Sequence, residues 1–403
     1  MAARIVSEVK RPDWLSRNLA VLSGVSFLQD SASELVYPVL PIFITSVLGA
    51  PAAVVGIVEG IAEAIAALFK LVAGRLSDGR RKRPFIGFGY GIAAFGKVLI
   101  AMANVWPIVL LGRGVDRVGK GMRSAPRDAL LLVGVPKAKW GSAFGLHRAA
   151  DTAGAVVGPL MGLGLYALLD HRIRPLLYVA VIPAILSALL VFAVREDRPA
   201  PLPPEEPNVP DLRGPSLTMA GRSLLSVLLV FSMVNVPDAL LLLRAHAVGL
   251  GVQGVLVAYV IFNASAAALA LPMGALSDRV SRRKIFAVGL VVFAVSVFGL
   301  AHANTRLEVF ACFFLYGAFP ACTDGVGKAW IASLALPDRH GGAQGLYQGL
   351  SGGGLLLAGT WAGLAWHGNG SAALTVAAVG AAVCAAVILL RGRRWELADA
   401  ARS

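Results

Sequence analysis

Gly74-Arg75-Leu76-Ser77-Asp78-Gly79-Arg80-Arg81-Lys82-Arg83 returns 200 residues later as Gly274-Ala275-Leu276-Ser277-Asp278-Arg279-Val280-Ser281-Arg282-Arg283-Lys284, each time between two long apolar runs. One helix-loop-helix device has been used twice. The echo continues further on, where Val115-Asp116-Arg117-Val118-Gly119-Lys120 is answered by Thr323-Asp324-Gly325-Val326-Gly327-Lys328. Two matches in the same order imply an internal duplication. In a chain this apolar, a duplication implies two homologous membrane bundles, the arrangement by which secondary transporters expose one site alternately to two sides.

Apolar residues fill 57% of 403 positions and charged residues 15%, too little polarity to cover a water-soluble surface. The expected class is an all-α integral membrane protein. A bilayer core of about 30 Å needs roughly 20 apolar residues per helical span. On that ruler the chain divides into twelve candidate transmembrane helices in two pseudo-symmetric six-helix bundles. They fall near 19–47, 51–76, 84–104, 106–131, 141–169, 173–194, 219–243, 251–277, 284–303, 305–334, 340–367 and 371–391.

A net charge of +14 would point to nucleic acid in a soluble protein, so its placement decides its meaning. The cations sit on alternate loops. Arg4, Lys10, Arg11 and Arg17 precede the first span, Arg80 to Arg83 follow the second, and Lys137 and Lys139 follow the fourth. Arg195 and Arg198 follow the sixth, Arg279 and Arg282 to Lys284 the eighth, and Arg391, Arg393 and Arg394 the twelfth. The opposite loops hold little beyond Arg172, Arg174, Arg244 and Arg306, so the excess reads as the positive-inside rule. Both termini are therefore expected in the cytoplasm, the partner of the cations is the lipid bilayer, and no nucleic acid is expected. Met1 to Ser16 is polar and carries no apolar stretch before a cleavage site, so no removable signal peptide is expected. Cys312, Cys322 and Cys384 sit in apolar runs without paired spacing and are expected to pack rather than to pair or bind metal.

Arg198-Pro199-Ala200-Pro201-Leu202-Pro203-Pro204-Glu205-Glu206-Pro207 is neither helix nor membrane-embedded. It divides the chain into an N-terminal bundle over 1–197, a cytoplasmic linker over 198–216 and a C-terminal bundle over 217–403.

Six spans, a linker, six spans, and a G-x-x-x-D basic loop after spans two and eight resemble the major facilitator superfamily, over nearly the whole chain. Arg117-Val118-Gly119-Lys120-Gly121 is similar to that family's R-x-x-q-G motif. Gly154-Ala155-Val156-Val157-Gly158-Pro159-Leu160-Met161-Gly162 is similar to the G-x-x-x-G-P-x-x-G motif of its exporters. The family's basic residue after the loop aspartate is Gly79 here, and its later glycine is replaced by Arg81 and Ser281. The resemblance implies a charge relay at a cytoplasmic gate, with Gly74, Asp78, Lys82, Arg83 and Asp128 in one half and Gly274, Asp278 and Arg282 in the other. A simpler reading is that the arginines only set topology.

Ionic residues inside the spans carry the rest of the argument. Asp30 and Glu34 lie one helical turn apart, roughly 16 to 22 Å into span one and close to mid-bilayer. Each ionised carboxylate there costs about 2.5 to 3.5 kcal/mol, so both are expected to face a cavity or a cation. A carboxyl group placed that way suits proton coupling. Pro38 and Pro41 remove backbone donors beyond them and predict a kink. Span four places Arg113, Asp116, Arg117, Lys120 and Arg127 on one stripe, and Glu59, Glu63 and Lys70 form another in span two. Lys97 stands isolated among apolar neighbours, and His147, Arg148 and Asp151 precede the glycine-proline motif. The second half is sparser, with Asn235, Asp238, Asn263, Asp324, Lys328, Gln344, Tyr347 and Gln348. Paired buried charges that only lock helices together are the competing reading of all of these. Gly154, Gly158 and Gly162, with Pro159 between them, let a neighbouring backbone come close, and Gly352 to Gly354 offer a second hinge.

Two other motifs fail. Gly114 to Gly121 approaches the P-loop pattern, but its last position is glycine where a hydroxyl must hold magnesium, and no strand precedes it. His147 and Asp151 lack a third ligand at useful spacing, so neither metal nor cofactor is expected. The chain reads as a non-enzymatic, monomeric secondary transporter that exports a small-molecule substrate against protons. An uptake symporter or facilitator on the same fold is the alternative, followed by a lipid flippase or a non-transporting sensor.

Overall fold

The computed structural model describes residues 15–77, 81–131, 133–135, 140–196, 217–277, 280–336 and 340–400. The expected linker over 198–216 and the loop aspartates Asp78 and Asp278 lie outside them. In the first half the helices are α1 (Arg17–Val36), which continues through α2 (Leu40–Ile42), then α3 (Ala52–Ser77), α4 (Lys82–Met102), α5 (Trp106–Leu131), α6 (Trp140–Leu168) and α7 (Ile173–Leu190). The second half holds α8 (Met219–Val234), α9 (Asp238–Ala247), α10 (Val252–Ser277), α11 (Arg282–His302), α12 (Arg306–Tyr316), α13 (Ala318–Ser333), α14 (His340–Leu364) and α15 (Ser371–Ala400). Among the described residues 9 helices are long and apolar enough to cross a membrane. The other expected spans are α1 with α2, α5 and α14, whose polar residues lower their mean hydropathy.

Local chemistry sets the ends and the breaks. Ser16 caps α1 by accepting from the Leu19 amide, Thr218 caps α8, and Thr305 with Glu308 forms a capping box on α12. The Asn304 and Thr305 amides both donate to the Glu308 carboxylate. Where Pro38 and Pro41 remove donors, the α-helical pattern gives way to a 3₁₀ turn over Tyr37–Val39 and, further on, to a π-turn over Phe43–Val47. Span seven, expected as one helix, breaks at Asn235 (φ −75°, ψ 84°) because Pro237 lacks the next donor. Span ten is divided at Gly317, which stays right-handed (φ −59°, ψ −24°) between α12 and α13.

Packing follows the small residues. Helix α4 lies against α5 along facing glycines: a methyl on Gly96 would meet the Gly112 carbonyl at 2.6 Å, and one on Gly112 would meet Gly96 at 2.7 Å. Helix α1 packs on α6 and α7, and α11 packs on α13 and α15. Across the halves, α3 lies against α14 and α6 against α10. The α3–α14 crossing is closest where Gly56 meets Gly359 and Gly60 meets Leu356, near the ends remote from the basic loops. One apolar cluster runs through both bundles, including Leu35, Val58, Leu256 and Phe293. A smaller one, with Leu22, Ile86, Tyr90 and Leu130, closes the first bundle at its basic end. Outside, Val288, Val291, Val295 and Phe298 stand exposed at helical spacing, as do Ile182, Leu186 and Leu189. Exposed stripes of this kind suit acyl chains and would aggregate in water.

Candidate functional site

The site is assembled where α6 presses on α1. A methyl on Gly154 would meet the Phe27 carbonyl at 2.7 Å and Asp30 Cβ at 3.1 Å; one on Gly158 would meet the Ser31 carbonyl at 2.6 Å and Glu34 Cβ at 3.1 Å. The glycine-proline motif is therefore the surface on which both mid-span carboxylates rest. Gly162 continues the line to Leu256 of α10 at 3.3 Å, and Pro159 is buried between them. Only glycine allows this backbone contact, and the contact fixes where Asp30 and Glu34 point.

Glu34 reaches the other half. The Tyr259 hydroxyl on α10 donates to Glu34 Oε2 at 2.5 Å, and the Tyr259 ring tilts against Tyr37 at 5.6 Å between centroids. Tyr37 in turn carries the Arg113 guanidinium over its face at 5.5 Å. A second carboxylate–tyrosine pair lies within the C-terminal half, where Tyr316 donates to Asp238 Oδ1 at 2.7 Å just past the break in span seven. Asp30 makes no ion pair within 4 Å among the described residues and lies in the electrostatic field of Asp151, Lys120, Glu34 and Arg123.

The stripes of spans two and four meet as ion pairs. Arg113 forks onto Glu59 through Nε at 2.9 Å and Nη2 at 2.5 Å. Lys97, isolated in the sequence, bonds Asp116 Oδ1 at 2.7 Å, because the α4–α5 glycine contact brings its helix into reach. All four side chains are 5% exposed or less, so they neutralise one another out of reach of solvent. Arg117 pairs with Glu63 at 3.2 Å, and there the carboxylate is 35% exposed. The dense ionic network expected in the first half is thus two layers: a sealed one of Glu59, Lys97, Arg113 and Asp116, and an open one beginning at Glu63.

Nearer the basic end, His147 Nε2 stands 3.8 Å from Asp151 and 3.5 Å from Ser26, while Arg127 donates to Ser26 at 2.8 Å. Arg123 lies over Tyr90 at 4.3 Å. Lys120, Arg148, Asp324, Lys328 and Gln348 are exposed, and Asn235 is half-buried at the end of α8.

Among the described gate residues no contact joins Lys82, Arg83 and Asp128. Asp128 pairs with Arg127 at 3.2 Å rather than reaching Lys82. The Lys82 and Arg83 amides donate to the two carboxylate oxygens of Glu196, at 2.6 and 2.8 Å, and Arg83 also bonds the Phe192 carbonyl. Glu196 thus caps α4 from the end of span six, a role the sequence reading missed. Gly74 and Gly274 fall within α3 and α10, and Arg282 opens α11. Tyr259 was also missed, although the 200-residue repeat that relates the two basic loops carries Glu59 onto it.

Comparison with known proteins agrees with this architecture. The family model described as Major Facilitator Superfamily matches residues 22–259 and 216–401. The chain is 30% identical over 361 residues to an MFS-type transporter of Methanocaldococcus jannaschii, covering 87% of this chain and 89% of that one. It is 26% identical over 322 residues to the multidrug resistance protein MdtG of Salmonella arizonae, with 76% and 78% covered. Among solved structures, the nucleoside transporter NupG superposes with a TM-score of 0.74 at 15% identity, covering 93% of this chain and 99% of that one. A bacterial homologue of the lysosomal transporter Spinster, in an inward-facing and occupied conformation, gives 0.75 at 15%, covering 95% and 98%. On these grounds the chain belongs to the major facilitator superfamily, as a multi-pass membrane transporter.

Proposed function

We propose that the chain is a proton-coupled secondary transporter that exports a small organic solute by alternating access. The halves over 1–197 and 217–403 rock about the linker over 198–216, in a bacterial inner membrane, as a monomer with both termini cytoplasmic. Asp30 and Glu34 carry the protons. The observation that supports this most is the Tyr259–Glu34 hydrogen bond, which ties the charge of a mid-span carboxylate to a contact between the halves. Export is favoured by the glycine-proline motif seated beneath both carboxylates and by the likeness to a multidrug resistance protein.

The test is flux in proteoliposomes. Glu34→Gln and Asp30→Asn are expected to abolish gradient-driven transport while leaving solute counterflow. Full active transport in both single variants and in the double variant would remove the two residues from the mechanism.

A second reading, uptake by symport, draws on Lys120. Its ammonium lies in the field of Asp30 and Glu34, so protonating them frees it for an anionic solute and binds proton and solute in one state. Accumulation along an imposed proton gradient, rather than against it, would favour this reading.

A further inference from the structure

Asp238 opens α9 directly after Pro237 and is half-buried. Its place at the positive end of the α9 dipole would by itself be a structural one. Among the described residues, however, it accepts from no amide of its own helix, and the Tyr316 hydroxyl donates to its Oδ1 at 2.7 Å. Tyr316 ends α12 beside Gly317. The bond therefore ties the break in span seven to the division of span ten.

Other contacts fix this joint in place. Pro237 has no N–H for the Met233 carbonyl, and Trp361 Nε1 on α14 donates to that carbonyl at 2.7 Å instead. A methyl on Gly359 of the same helix would meet Pro237 Cγ at 3.2 Å and also the Gly56 carbonyl of α3, where the halves touch. The Tyr316 ring lies 5.2 Å from that of Phe262, which lies 5.7 Å from that of Tyr259, the donor to Glu34. Two carboxylate–tyrosine pairs, with one carboxylate from each half, are thus connected ring to ring.

Asp238 faces acids and phenols rather than a cation. Among the described residues no lysine, arginine or histidine stands within 4 Å of it. Helix α9 packs against the Tyr37–Val39 turn, α2, α3, α10 and α11. These elements bring Tyr37, Glu59 and Tyr259 near the carboxylate, and α12, α1 and α13 add Tyr316, Glu34 and Asp324. Arg113 is held by Glu59. On α9 itself Arg244 donates to the Leu300, Ala301 and Ala303 carbonyls, and His246 Nδ1 bonds the Leu250 carbonyl. An ionised carboxylate at membrane depth is costly without a cation, and a proton supplies one. Protonation turns the charged acceptor into a neutral acid that accepts weakly and carries a hydrogen of its own, so the Tyr316 bond is strong in the ionised form alone.

We propose that Asp238 is a further proton carrier, contributed by the C-terminal half, and that protonation of its carboxylate loosens the Tyr316 bond across the breaks of spans seven and ten. The proton comes from water on one side of the membrane and returns to water on the other. This rests on the proton-coupled reading and adds a carboxylate of the second half to it.

The experiment follows the infrared carbonyl absorption of protonated carboxyl groups across pH, in the purified full chain in detergent, with the proton as the probe. Wild type is expected to show a protonation step that is missing in Asp238→Asn, returns in Asp238→Glu and persists in Asp30→Asn and Glu34→Gln. A purely structural aspartate, ionised throughout, would give no such step. Tyr316→Phe keeps the ring and every carboxylate but removes the donor that favours the ionised acid. It should raise the proton affinity of the step about tenfold, a result that does not depend on the folding of Asp238→Asn. Hydrogen exchange at the Leu242 and Leu243 amides should be several-fold faster below the step than above it in wild type, and fast at both in Tyr316→Phe. A full set of steps in Asp238→Asn, an affinity unmoved by Tyr316→Phe, or exchange indifferent to pH would each overturn the assignment. Titration in detergent needs neither gradient nor solute. Gradient-driven flux untouched by Asp30→Asn and Glu34→Gln would therefore overturn the coupling reading alone, and a missing Asp238 step in a chain whose flux depends on those residues would overturn this proposal alone.

Discussion

Tyr259 on α10 and Glu34 on α1 are 225 positions apart in sequence and share a hydrogen bond of 2.5 Å that joins the two halves of the transporter. It lies on the part of the molecule where α3 and α14 also touch through Gly56 and Gly359. A hydrogen bond to a charged group contributes about 1.5 to 3 kcal/mol, or one to two decades in an equilibrium. Tyr259→Phe removes the donor and keeps the ring against Tyr37. The expected outcome is a shift towards the conformation in which the halves part at this end. Spin labels at Val105→Cys and Leu307→Cys, both exposed at that end, would read it as a longer distance. An unaltered distance distribution would mean that the bond carries no closing energy.

The seat of the two carboxylates makes a second prediction. A methyl group at Gly158 would sit 2.6 Å from the Ser31 carbonyl and 3.0 Å from the Leu35 amide, both backbone atoms that cannot swing aside. Overpacking of this kind costs about 1 to 3 kcal/mol. Gly158→Ala should therefore lower the thermal midpoint and cut transport, because α1 must move off α6. Gly164→Ala, two turns along where nothing lies within 4 Å, serves as the control and should behave as wild type. Equal stability of the two variants would contradict the close approach of α1 and α6.

Much of this was legible in the residues. The hydropathy runs placed the helices to within a few positions, since a bilayer imposes one length on every span. The glycine-proline motif announced a close backbone contact, and the contact is there. What periodicity cannot give is the partner of a side chain on another helix. Lys97 looked solitary because Asp116 is 19 positions away, and only the Gly96–Gly112 approach brings the two together. Glu196 sat at the edge of the proline-rich segment and read as linker charge, although its partners are amides of α4 more than a hundred residues earlier. Span seven read as continuous because Asn235, Pro237 and Asp238 are outweighed by the apolar residues on either side of them.

The sealed ionic layer separates a structural role from a transport role. Arg113→Met strips Glu59 of both its hydrogen bonds from Arg113 and leaves a carboxylate 4% exposed without its paired guanidinium. Breaking such a pair from one side costs about 3 to 5 kcal/mol, whereas replacing both partners by apolar residues is often neutral. Arg113→Met should thus give low yields of folded protein, and Glu59→Leu combined with Arg113→Met should recover both the thermal midpoint and flux. Recovery of stability without flux would assign the pair to solute or proton handling instead.

Glu196 offers the last prediction, because it joins the end of span six to the start of span three. Its carboxylate accepts from two of the amides that a helix N-terminus leaves without intrahelical partners, and its negative charge faces the positive end of the α4 dipole. Loss of a side-chain cap costs about 0.5 to 2 kcal/mol. Arg83 adds a bond from its guanidinium to the Phe192 carbonyl at 2.7 Å and lies over the Phe192 ring at 5.8 Å, so the junction does not rest on the carboxylate alone. Glu196→Ala should consequently leave the protein folded but fray the first turn of α4, read as faster hydrogen exchange at the Lys82 and Arg83 amides. Glu196→Gln keeps an acceptor without the charge and should fall between the two. Exchange at those amides unchanged by Glu196→Ala would show that Arg83 and Phe192 hold the helix end without the cap.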